Sequence, residues 1–357
     1  MSRDPLHGRG ARTNASGRYE RFAREAFDDG WTTEESQPLE TIVTPELAKT
    51  IISTNQSPDI SFDQSINPYR GCEHGCIYCY ARPNHAYVGL SPGLDFETKL
   101  FVKANAAELL EQELAKPNYR PRTIMMGGVT DIYQPIERGY GVTRSILKVM
   151  EKWRHPVALI TKSQLVIRDI DILARLAERG LAKAAVSVTT LDRRIARVME
   201  PRAAAPHRRI EAIRMLADAG VPVTVMVAPI VPAINDREIE SILEECAKAG
   251  ARSAGYVVLR LPLEIKDLFR EWLAQHFPDR ATRVMTLVRQ MRGGRDYDPE
   301  WGKRQKGEGP YAKLIADRFA AALRRFGLDK PTLALDHTQF RRPIEAGGQP
   351  DLFAAND

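Results

Sequence analysis

The run Val157-Ala-Leu-Ile-Thr161 is almost entirely apolar, and runs of the same kind recur at regular intervals on both sides of it. Successive runs begin at residues 123, 157, 185, 223 and 255, so they lie 28 to 38 residues apart, the length of one βα unit. Amphipathic stretches with a helical period separate them. The four other runs are Thr123–Met126, Ala185–Thr189, Val223–Ala228 and Gly255–Leu259. Continuous apolar strands joined by helices predict a parallel sheet.

A further run near Ile60–Ile66 brings the number of predicted βα units to six. Six right-handed units are expected to curl into an α/β fold, a partial (β/α)6 barrel of the TIM type, with functional loops at the carboxyl ends of its strands. A flat, doubly wound sheet has the same periodicity and stays open as an alternative. A Rossmann site is not expected, because no strand is followed by a G-x-G-x-x-G turn.

The rest of the chain divides around this barrel, which we place at residues 51–262. Residues 1–50 are polar and are expected to form a flexible, solvated arm; contact with phosphate through its arginines is the alternative. Residues 263–340 predict a helical, basic extension, and residues 341–357 a flexible tail. The extension has three predicted helices: Leu263–Phe277, Ala281–Met291 and Tyr311–Phe326.

Composition narrows the class of protein. The chain has 357 residues, 43% of them hydrophobic, and no apolar run long enough to span a membrane. No apolar stretch follows the early arginines, so a secretory signal is not expected. The expected location of the protein is the cytoplasm. The net charge is +6, and residues 279–306 carry eight basic against four acidic side chains, with Tyr297 and Trp301 among them. That stretch fits either a nucleic-acid surface or a solvated helix face.

Three of the four cysteines fall in the segment Asn67-Pro-Tyr-Arg-Gly-Cys-Glu-His-Gly-Cys-Ile-Tyr-Cys-Tyr80, just after the first predicted strand. Cys72, Cys76 and Cys79 form the pattern C-x-x-x-C-x-x-C. Thiolates so close along a glycine-containing loop can converge on one soft metal centre. Such clustering indicates a metal or redox site rather than a disulfide framework.

The choice of metal depends on the number of ligands. A structural zinc site needs a fourth ligand, for which His74, His85 and Cys246 are the candidates. Cys246 follows Ile239 and Ile242 at helical spacing, so it is expected to face the core. A [4Fe–4S] cluster held by three cysteines leaves one iron open to a reactant. The incomplete ligand set therefore favours a catalytic cluster over a structural metal site.

The motif, with Tyr78 just before the last cysteine and six βα units around it, resembles the radical S-adenosylmethionine (SAM) superfamily over roughly residues 60–261. The chain is also similar to the spore photoproduct lyase-like, or DNA repair photolyase-like, branch, and its ends resemble an uncharacterised bacterial subgroup of that branch. The segments that carry the likeness to the branch are Cys76–Tyr80, Asp131–Glu137, Ile160–Ser163 and Arg168–Asp171.

The resemblance implies that Cys72, Cys76 and Cys79 hold a [4Fe–4S] cluster whose open iron chelates SAM. An electron from the reduced cluster then cleaves the S–C5′ bond, and the 5′-deoxyadenosyl radical abstracts hydrogen from a substrate. A reduced flavodoxin or ferredoxin is the electron donor that the family implies.

The resemblance also implies contacts with SAM. Gly127 and Gly128 match a glycine-rich turn whose backbone approaches the methionine amino group, and glycine allows that approach because it has no Cβ. Tyr78 is expected near the adenine, and Tyr78 and Tyr80 match a tyrosine pair proposed to relay hydrogen atoms. Four further residues match family contacts: Thr130, Lys162, Ser187 and Ala228. Strand-end side chains turned to water, or a plain tight turn, are the alternatives.

One departure bears on the substrate. The lyase branch has a hydrogen-donating cysteine beside the second strand, and Met126–Asp131 contains none. Reversal of a thymine lesion by that route is therefore not expected. The leading hypothesis is a radical enzyme acting on nucleic acid or a DNA lesion. Modification of a protein or small metabolite, and a zinc-stabilised nucleic-acid-binding module, are the alternatives.

The chain closes with a motif of its own. Gln349–Phe353 resembles the Gln-x-x-Leu-Phe peptides that bacterial repair proteins insert into the sliding clamp, which makes the clamp a predicted partner. The alternative is that Leu352 and Phe353 cap the barrel.

Overall fold

A computed structural model describes residues 6, 8–20, 39–331 and 333–343. The strands in these ranges are β1 (Ile42–Glu46), β2 (Ile52–Thr54), β3 (Gln64–Ile66), β4 (Tyr69–Arg70), β5 (Lys99–Lys103), β6 (Ile124–Met126), β7 (Val157–Thr161), β8 (Ala182–Ser187), β9 (Val223–Ile230) and β10 (Ser253–Val258).

The α-helices are α1 (Asp95–Thr98), α2 (Ala106–Ala115), α3 (Glu137–Tyr140), α4 (Val142–Lys152), α5 (Ile170–Glu178), α6 (Arg193–Met199), α7 (Pro206–Asp218), α8 (Ile239–Lys248), α9 (Ile265–His276), α10 (Pro278–Gln290) and α11 (Gly309–Phe326). The 3-10 helices are Arg82–Val88, Gln164–Asp169 and Asp236–Glu238.

The main sheet has the strand order β10-β9-β8-β7-β6-β3-β2. Its six strands from β3 to β10 are parallel and follow chain order, which confirms the six predicted units, and β2 adds an antiparallel edge. The strand β8 begins three residues before the predicted start at Ala185. Pairing with β7 extends it over Ala182–Ala184, whose residues have low intrinsic β-propensity.

The two ends of this sheet approach each other, as in a partial barrel. The loop between β2 and β3 brings Asp59 to the backbone N–H of Gly302, which donates to it over 2.6 Å, and to the guanidinium of Arg304. Next to these residues, the carbonyl of Gln305 accepts a 2.8 Å hydrogen bond from the N–H of Val258 on β10. Residues 302–305 therefore bridge the gap between the first and last strands.

A second, three-stranded sheet, β1-β5-β4, was not predicted. Its strand β1 lies within the predicted arm and pairs in parallel with β5. Residues 8–20 of the arm also differ from the solvated expectation. Ala11 is fully buried, and the Arg9 guanidinium donates a 3.0 Å hydrogen bond to the Glu97 carbonyl. The arm is docked because both its side chains and its backbone N–H groups find partners far along the chain. Residues 21–38 lie outside the described ranges.

The predicted helical extension is confirmed as α9, α10 and α11. The first two pack Phe269, Trp272 and Val284 against residues that follow β10, including Leu259. Helix α11 packs on α8, where Arg318 makes two hydrogen bonds of 2.8 and 2.6 Å to the Glu240 carboxylate.

Residues 333–343 run under the amino ends of the barrel strands, where the Phe340 ring stacks 6.0 Å from Trp153. The predicted clamp peptide, Gln349–Phe353, lies outside the described residues and stays a prediction. None of the described helices is both long and apolar enough to cross a membrane.

Candidate active site

The carboxyl ends of the parallel strands form one edge of the barrel, where active sites of this architecture lie. Gly127 and Gly128 follow β6, Lys162 follows β7, and Ser187 ends β8. Ala228 lies two residues before the end of β9. The structure therefore places the residues predicted from the separate strands at the same edge, and we call this edge the mouth.

The cysteine loop begins just after β4, beside the mouth. Cys72 and Cys76 are buried and Cys79 is half-buried, and tight turns shape the loop: Gly75 N–H donates to the Cys72 carbonyl and Cys79 N–H to the Cys76 carbonyl. Burial, and then the negative charge of Glu200, raises the pKa of Cys76 to about 12. Burial also raises the pKa of Cys72 and Cys79. Metal binding there must therefore displace protons from the thiols.

The donor set of this loop fits an iron–sulfur cluster. The three thiols are close enough to affect one another's ionisation, and sulfur donors suit a cluster iron. The Nδ1 atom of His74 lies 3.3 Å from the Asp131 carboxylate, and the Nε2 atom of His85 lies 2.9 Å from the Lys99 carbonyl. As predicted, Cys246 is buried in the core on α8. In the described ranges, no three His, Cys, Asp or Glu side chains are gathered tightly enough for a single ion.

A buried ion pair that the sequence did not indicate holds the cysteine loop. Arg82 is fully buried, and its guanidinium donates to the carbonyls of Cys76 (3.0 Å) and Gly75 (3.1 Å). The Glu97 carboxylate lies 2.5 Å from this guanidinium and also accepts from the N–H groups of Gly10 (2.9 Å) and Ala11 (2.8 Å). The docked arm and the cysteine loop thus share one carboxylate.

The contact between arm and loop requires a glycine. A Cβ on Gly10 would lie 1.7 Å from the carbonyl oxygen of Gly75, far inside any real contact distance. The arm therefore packs backbone against backbone over the cysteine loop.

A second buried ion pair lies behind Tyr78. The Tyr78 hydroxyl donates to the Glu200 carboxylate, which also accepts a 2.6 Å hydrogen bond from Thr189 and pairs with Arg209. Burial disfavours the charge on Glu200, but Arg209 and Lys162 outweigh it and hold its pKa at about 2. The Lys162 ammonium lies 5.8 Å from the centre of the Tyr78 ring. Tyr78 is therefore oriented by a carboxylate whose charged form is favoured by Arg209 and Lys162.

The segments that resemble the lyase branch position one another. Asp131 accepts hydrogen bonds from the Thr161 hydroxyl (2.7 Å) and the Lys162 N–H (2.7 Å), which joins the ends of β6 and β7. Arg168 lies 2.5 Å from Glu137, which is fully buried. These contacts join three of the four segments to one another around the mouth.

The two glycines after β6 differ in whether the surrounding residues leave room for a Cβ. Gly127 has φ +87°, and a Cβ there would lie 2.3 Å from the Ile160 carbonyl oxygen. A Cβ on Gly128 would meet nothing closer than Phe62, at an ordinary 3.7 Å. Packing among the described residues therefore requires glycine at the first position and not at the second.

The remaining predicted residues lie at the same edge. Thr130 is buried and donates a 3.1 Å hydrogen bond to the Tyr69 carbonyl. Ser187 is buried, and its carbonyl accepts from Arg209 over 3.1 Å. Tyr80 is 47% exposed, and its hydroxyl donates to the Gly128 carbonyl, so this side chain forms part of the wall of the mouth.

Most basic side chains of residues 279–306 have partners within the chain. Six of the eight cations have ionic or carbonyl partners: Arg280 with the Ala233 carbonyl, Arg289 with Asp296, Arg292 with the Leu259 and Lys303 carbonyls, Lys303 with Glu300, Arg304 with Asp59, and Lys306 with the Tyr256 carbonyl. Counting charge along the sequence missed these partners because several of them are distant in the chain. Much of the positive charge of this stretch therefore takes part in contacts that stabilise the fold.

A partly overlapping set of arginines lies beside the mouth, on the side of β8 and β9. Helix α6 follows β8 and the 3-10 helix Asp236–Glu238 follows β9, so both begin at the mouth, and α10 adjoins them through a 3.4 Å contact from Arg280 to the Ala233 carbonyl. Six exposed arginines on these helices have no ion-pair partner in the described part of the chain, and we call them the arginine rim: Arg193, Arg194, Arg197, Arg237, Arg280 and Arg283. This rim was not predicted, although the local run Arg193-Arg-Ile-Ala-Arg197 could have indicated part of it.

Comparison with known proteins identifies the family. The model of the radical SAM superfamily matches residues 66–246. An uncharacterised protein of Mycobacterium tuberculosis is 34% identical over 232 residues, which cover 64% of this chain and 68% of that protein. An uncharacterised protein of Methanocaldococcus jannaschii is 28% identical over 214 residues, covering 60% and 76%. The chain belongs to the radical SAM superfamily, whose members are enzymes that use a [4Fe–4S] cluster and SAM.

Solved structures confirm the predicted fold. Spore photoproduct lyase complexed with dinucleoside spore photoproduct has a TM-score of 0.56 and 18% identity, covering 80% of this chain and 79% of that one. A doubly substituted mutant of that enzyme with bound AdoMet and dinucleoside spore photoproduct has a TM-score of 0.57 and 17% identity, with the same coverage. At this identity the likeness shows the fold alone. Family membership favours the iron–sulfur interpretation over the zinc-stabilised module.

Proposed function

We propose that this protein is a radical SAM enzyme that acts on nucleic acid, with Cys72, Cys76 and Cys79 as ligands of its cluster. Reductive cleavage of SAM at the cluster supplies the 5′-deoxyadenosyl radical that removes hydrogen from the substrate. A reduced flavodoxin or ferredoxin is the proposed source of electrons. The arginine rim is the observation that carries the choice of substrate, because guanidinium groups beside the mouth that have no ion-pair partner among the described residues suit a phosphate backbone.

The mouth residues have distinct proposed roles in holding SAM. The backbone at Gly127 and Gly128 lies against the methionine end, Lys162 offers a cation to the carboxylate, and Ser187 offers a hydroxyl. Thr130 and Ala228 complete the set, the latter through backbone polar groups. Two observations support these roles: all six residues lie at the carboxyl edge, and packing among the described residues does not require glycine at position 128.

The two glycines provide a matched test of the SAM site. Gly128→Ala is expected to weaken SAM binding about tenfold, or about 1.4 kcal/mol, because in the proposed placement its Cβ would lie against the cofactor. It should change the stability of the fold by less than about 0.5 kcal/mol. Gly127→Ala is expected to cost about 1–3 kcal/mol of stability, since it forces a positive φ and a backbone clash. Titration calorimetry and chemical unfolding of the reconstituted protein measure both. Unchanged SAM affinity in Gly128→Ala would contradict the placement.

Tyr78 and Tyr80 are the proposed carriers of hydrogen atoms between cofactor and substrate. Tyr80 is 47% exposed at the mouth, whereas Tyr78 is only 9% exposed and is bound to Glu200. Tyr80 is thus the member of the pair that a substrate can reach. Because Met126–Asp131 contains no cysteine, we propose a lesion or modification chemistry other than thymine-dimer reversal, within the broad classes of DNA repair and lyase reactions.

The direct test of the substrate class follows the abstracted hydrogen. The reconstituted, reduced enzyme is incubated with SAM and uniformly deuterated nucleic acid, and the 5′-deoxyadenosine is analysed by mass spectrometry. Deuterium transferred from the nucleic acid would support the proposal. Label that arrives only from deuterated protein or metabolite fractions of a cell extract would show that the substrate belongs to one of those classes instead.

Neutralising part of the arginine rim should reduce the salt dependence of nucleic-acid binding. Replacement of Arg193, Arg194 and Arg197 by glutamine is expected to reduce the slope of log K against log salt by about 2–3, since each lost phosphate contact removes about 0.7–0.9. Fluorescence anisotropy at several salt concentrations gives the slope.

The control for the rim variant removes the same charge elsewhere. Lys116, Lys248 and Lys313 each pair with an acidic residue three or four positions away on the protein's own surface. Their triple glutamine variant should leave the slope unchanged within about 0.5. Equal reductions in both variants would mean that only net charge matters and that the rim is not the binding surface.

A further inference from the structure

Arg260 lies at the mouth beside the proposed SAM contacts. It follows β10, the last strand of the barrel, by two residues. Its guanidinium carbon is 5.3 Å from the centre of the Tyr80 ring, and the Tyr80 hydroxyl donates to the Gly128 carbonyl. Arg260 therefore reaches from the last strand to the cysteine loop and to the end of β6, on the side of the mouth where a substrate would meet Tyr80.

The charge of Arg260 is not neutralised by the described residues. Its Nε atom is buried without a hydrogen-bond partner, and one terminal nitrogen lies 3.4 Å from the neutral hydroxyl of Tyr297. The hydrogen bond from Gly302 N–H, and to a lesser extent the charge of Arg260, lowers the pKa of Asp59, but the Asp59 carboxylate accepts its hydrogen bonds from Gly302 N–H and Arg304. A guanidinium at the mouth is thus left with donors to spare.

A second guanidinium adds to the excess of positive charge. Arg292 is 1% exposed, and it donates to the carbonyls of Leu259 (2.9 Å) and Lys303 (2.7 Å) rather than to a carboxylate. Its Nε atom is also buried without a partner. Burial, and then the charge of Arg260, lowers the pKa of Arg292 to about 10. An anion placed against Arg260 would relieve the repulsion between the two groups.

We propose that Arg260 binds an oxyanion of the substrate and so positions the reacting group beside Tyr80. This inference rests on the proposed function, from which we take the oxyanion to be the phosphodiester next to the nucleotide that loses hydrogen. A planar guanidinium matches a phosphate with two parallel hydrogen bonds, and the Tyr80 ring held against it offers a face for the neighbouring base.

The test compares a charged and an uncharged form of one ligand. The reconstituted holoenzyme with SAM is titrated, without reductant, with thymidylyl-thymidine and with its methylphosphonate analogue, in which the phosphodiester is neutral. The wild-type protein should bind the charged form about tenfold more tightly. Arg260→Gln should lower that preference to less than about twofold while still binding the neutral form as the wild type does, which shows that the mouth remains folded.

Two further variants sharpen the comparison. Arg260→Lys keeps the charge without the planar fork and should retain part of the preference. Arg295→Gln removes an exposed cation from the same extension and should retain all of it.

The outcomes separate this inference from the proposed function. If Arg260→Gln keeps the full preference, or if the wild type binds both forms equally well, the role of Arg260 is wrong and the nucleic-acid proposal stands. If the wild type binds neither form, the proposed nucleic-acid substrate and the role of Arg260 are both wrong.

Discussion

Cys76→Ala is expected to leave the anaerobically reconstituted protein without its brown colour, with its iron content reduced from about four per chain to near zero. Cleavage of SAM under reducing conditions should fall below detection. The reason is that two sulfurs cannot hold a cluster that already has one open iron. Iron assay, the visible spectrum and 5′-deoxyadenosine formation measure the three effects.

Cys246 supplies the matched control for this experiment. Cys246→Ala removes the same thiol from the core on α8 and is expected to cost about 1–2 kcal/mol of stability through a small cavity. Its iron content and SAM cleavage should match those of the wild type. A reconstituted Cys76→Ala protein that keeps four irons, or a Cys246→Ala protein that loses them although it is folded, would contradict the assignment of the ligands.

Glu97→Ala is expected to lower the free energy of unfolding by about 3–5 kcal/mol, the cost of leaving the Arg82 guanidinium buried without its partner. The substitution also removes the acceptor of the Gly10 and Ala11 N–H groups, which detaches the docked arm. Because Arg82 holds the carbonyls of the cysteine loop, the iron content after reconstitution should fall as well. Denaturant unfolding of the apoprotein and iron assay of the reconstituted protein give the two readouts.

The control for Glu97→Ala is Glu113→Ala. Glu113 pairs with Lys116 on the exposed face of α2, where an ion pair contributes at most about 0.5 kcal/mol. Its loss should change neither stability nor iron content. A similar small effect for both variants would show that the buried pair does not hold the loop.

The barrel could be predicted from the sequence because its signals are local. Each parallel strand is a short apolar run, and the cysteines that point to the cluster lie within eight residues of one another. The strand positions, the helical extension and the family all follow from such short patterns. The ends of the strands were predicted less accurately, because pairing with a neighbour extends β8 over residues of low β-propensity.

The parts that could not be predicted depend on contacts between distant residues. Gly10 and Ala11 are polar-arm residues by any local measure, and they are buried only because Glu97 accepts their N–H groups. Arg304 counts as a surface cation until the fold brings Asp59, 245 residues away, against it. A charge count over a segment therefore cannot separate cations that stabilise the fold from those free to bind a polyanion.

The bridge from Asp59 to residues 302–305 has a consequence for the shape of any target. It joins the loop before β3 to the segment beyond β10 in the described ranges, so, under the proposed function, a nucleic-acid polymer would approach from the mouth and not between those two strands. A base paired inside a double helix would stay out of reach from there. If the polymer is DNA, the nucleotide that reacts has to swing out of the stack, and damaged or mismatched positions, which open at least cost, would be selected first.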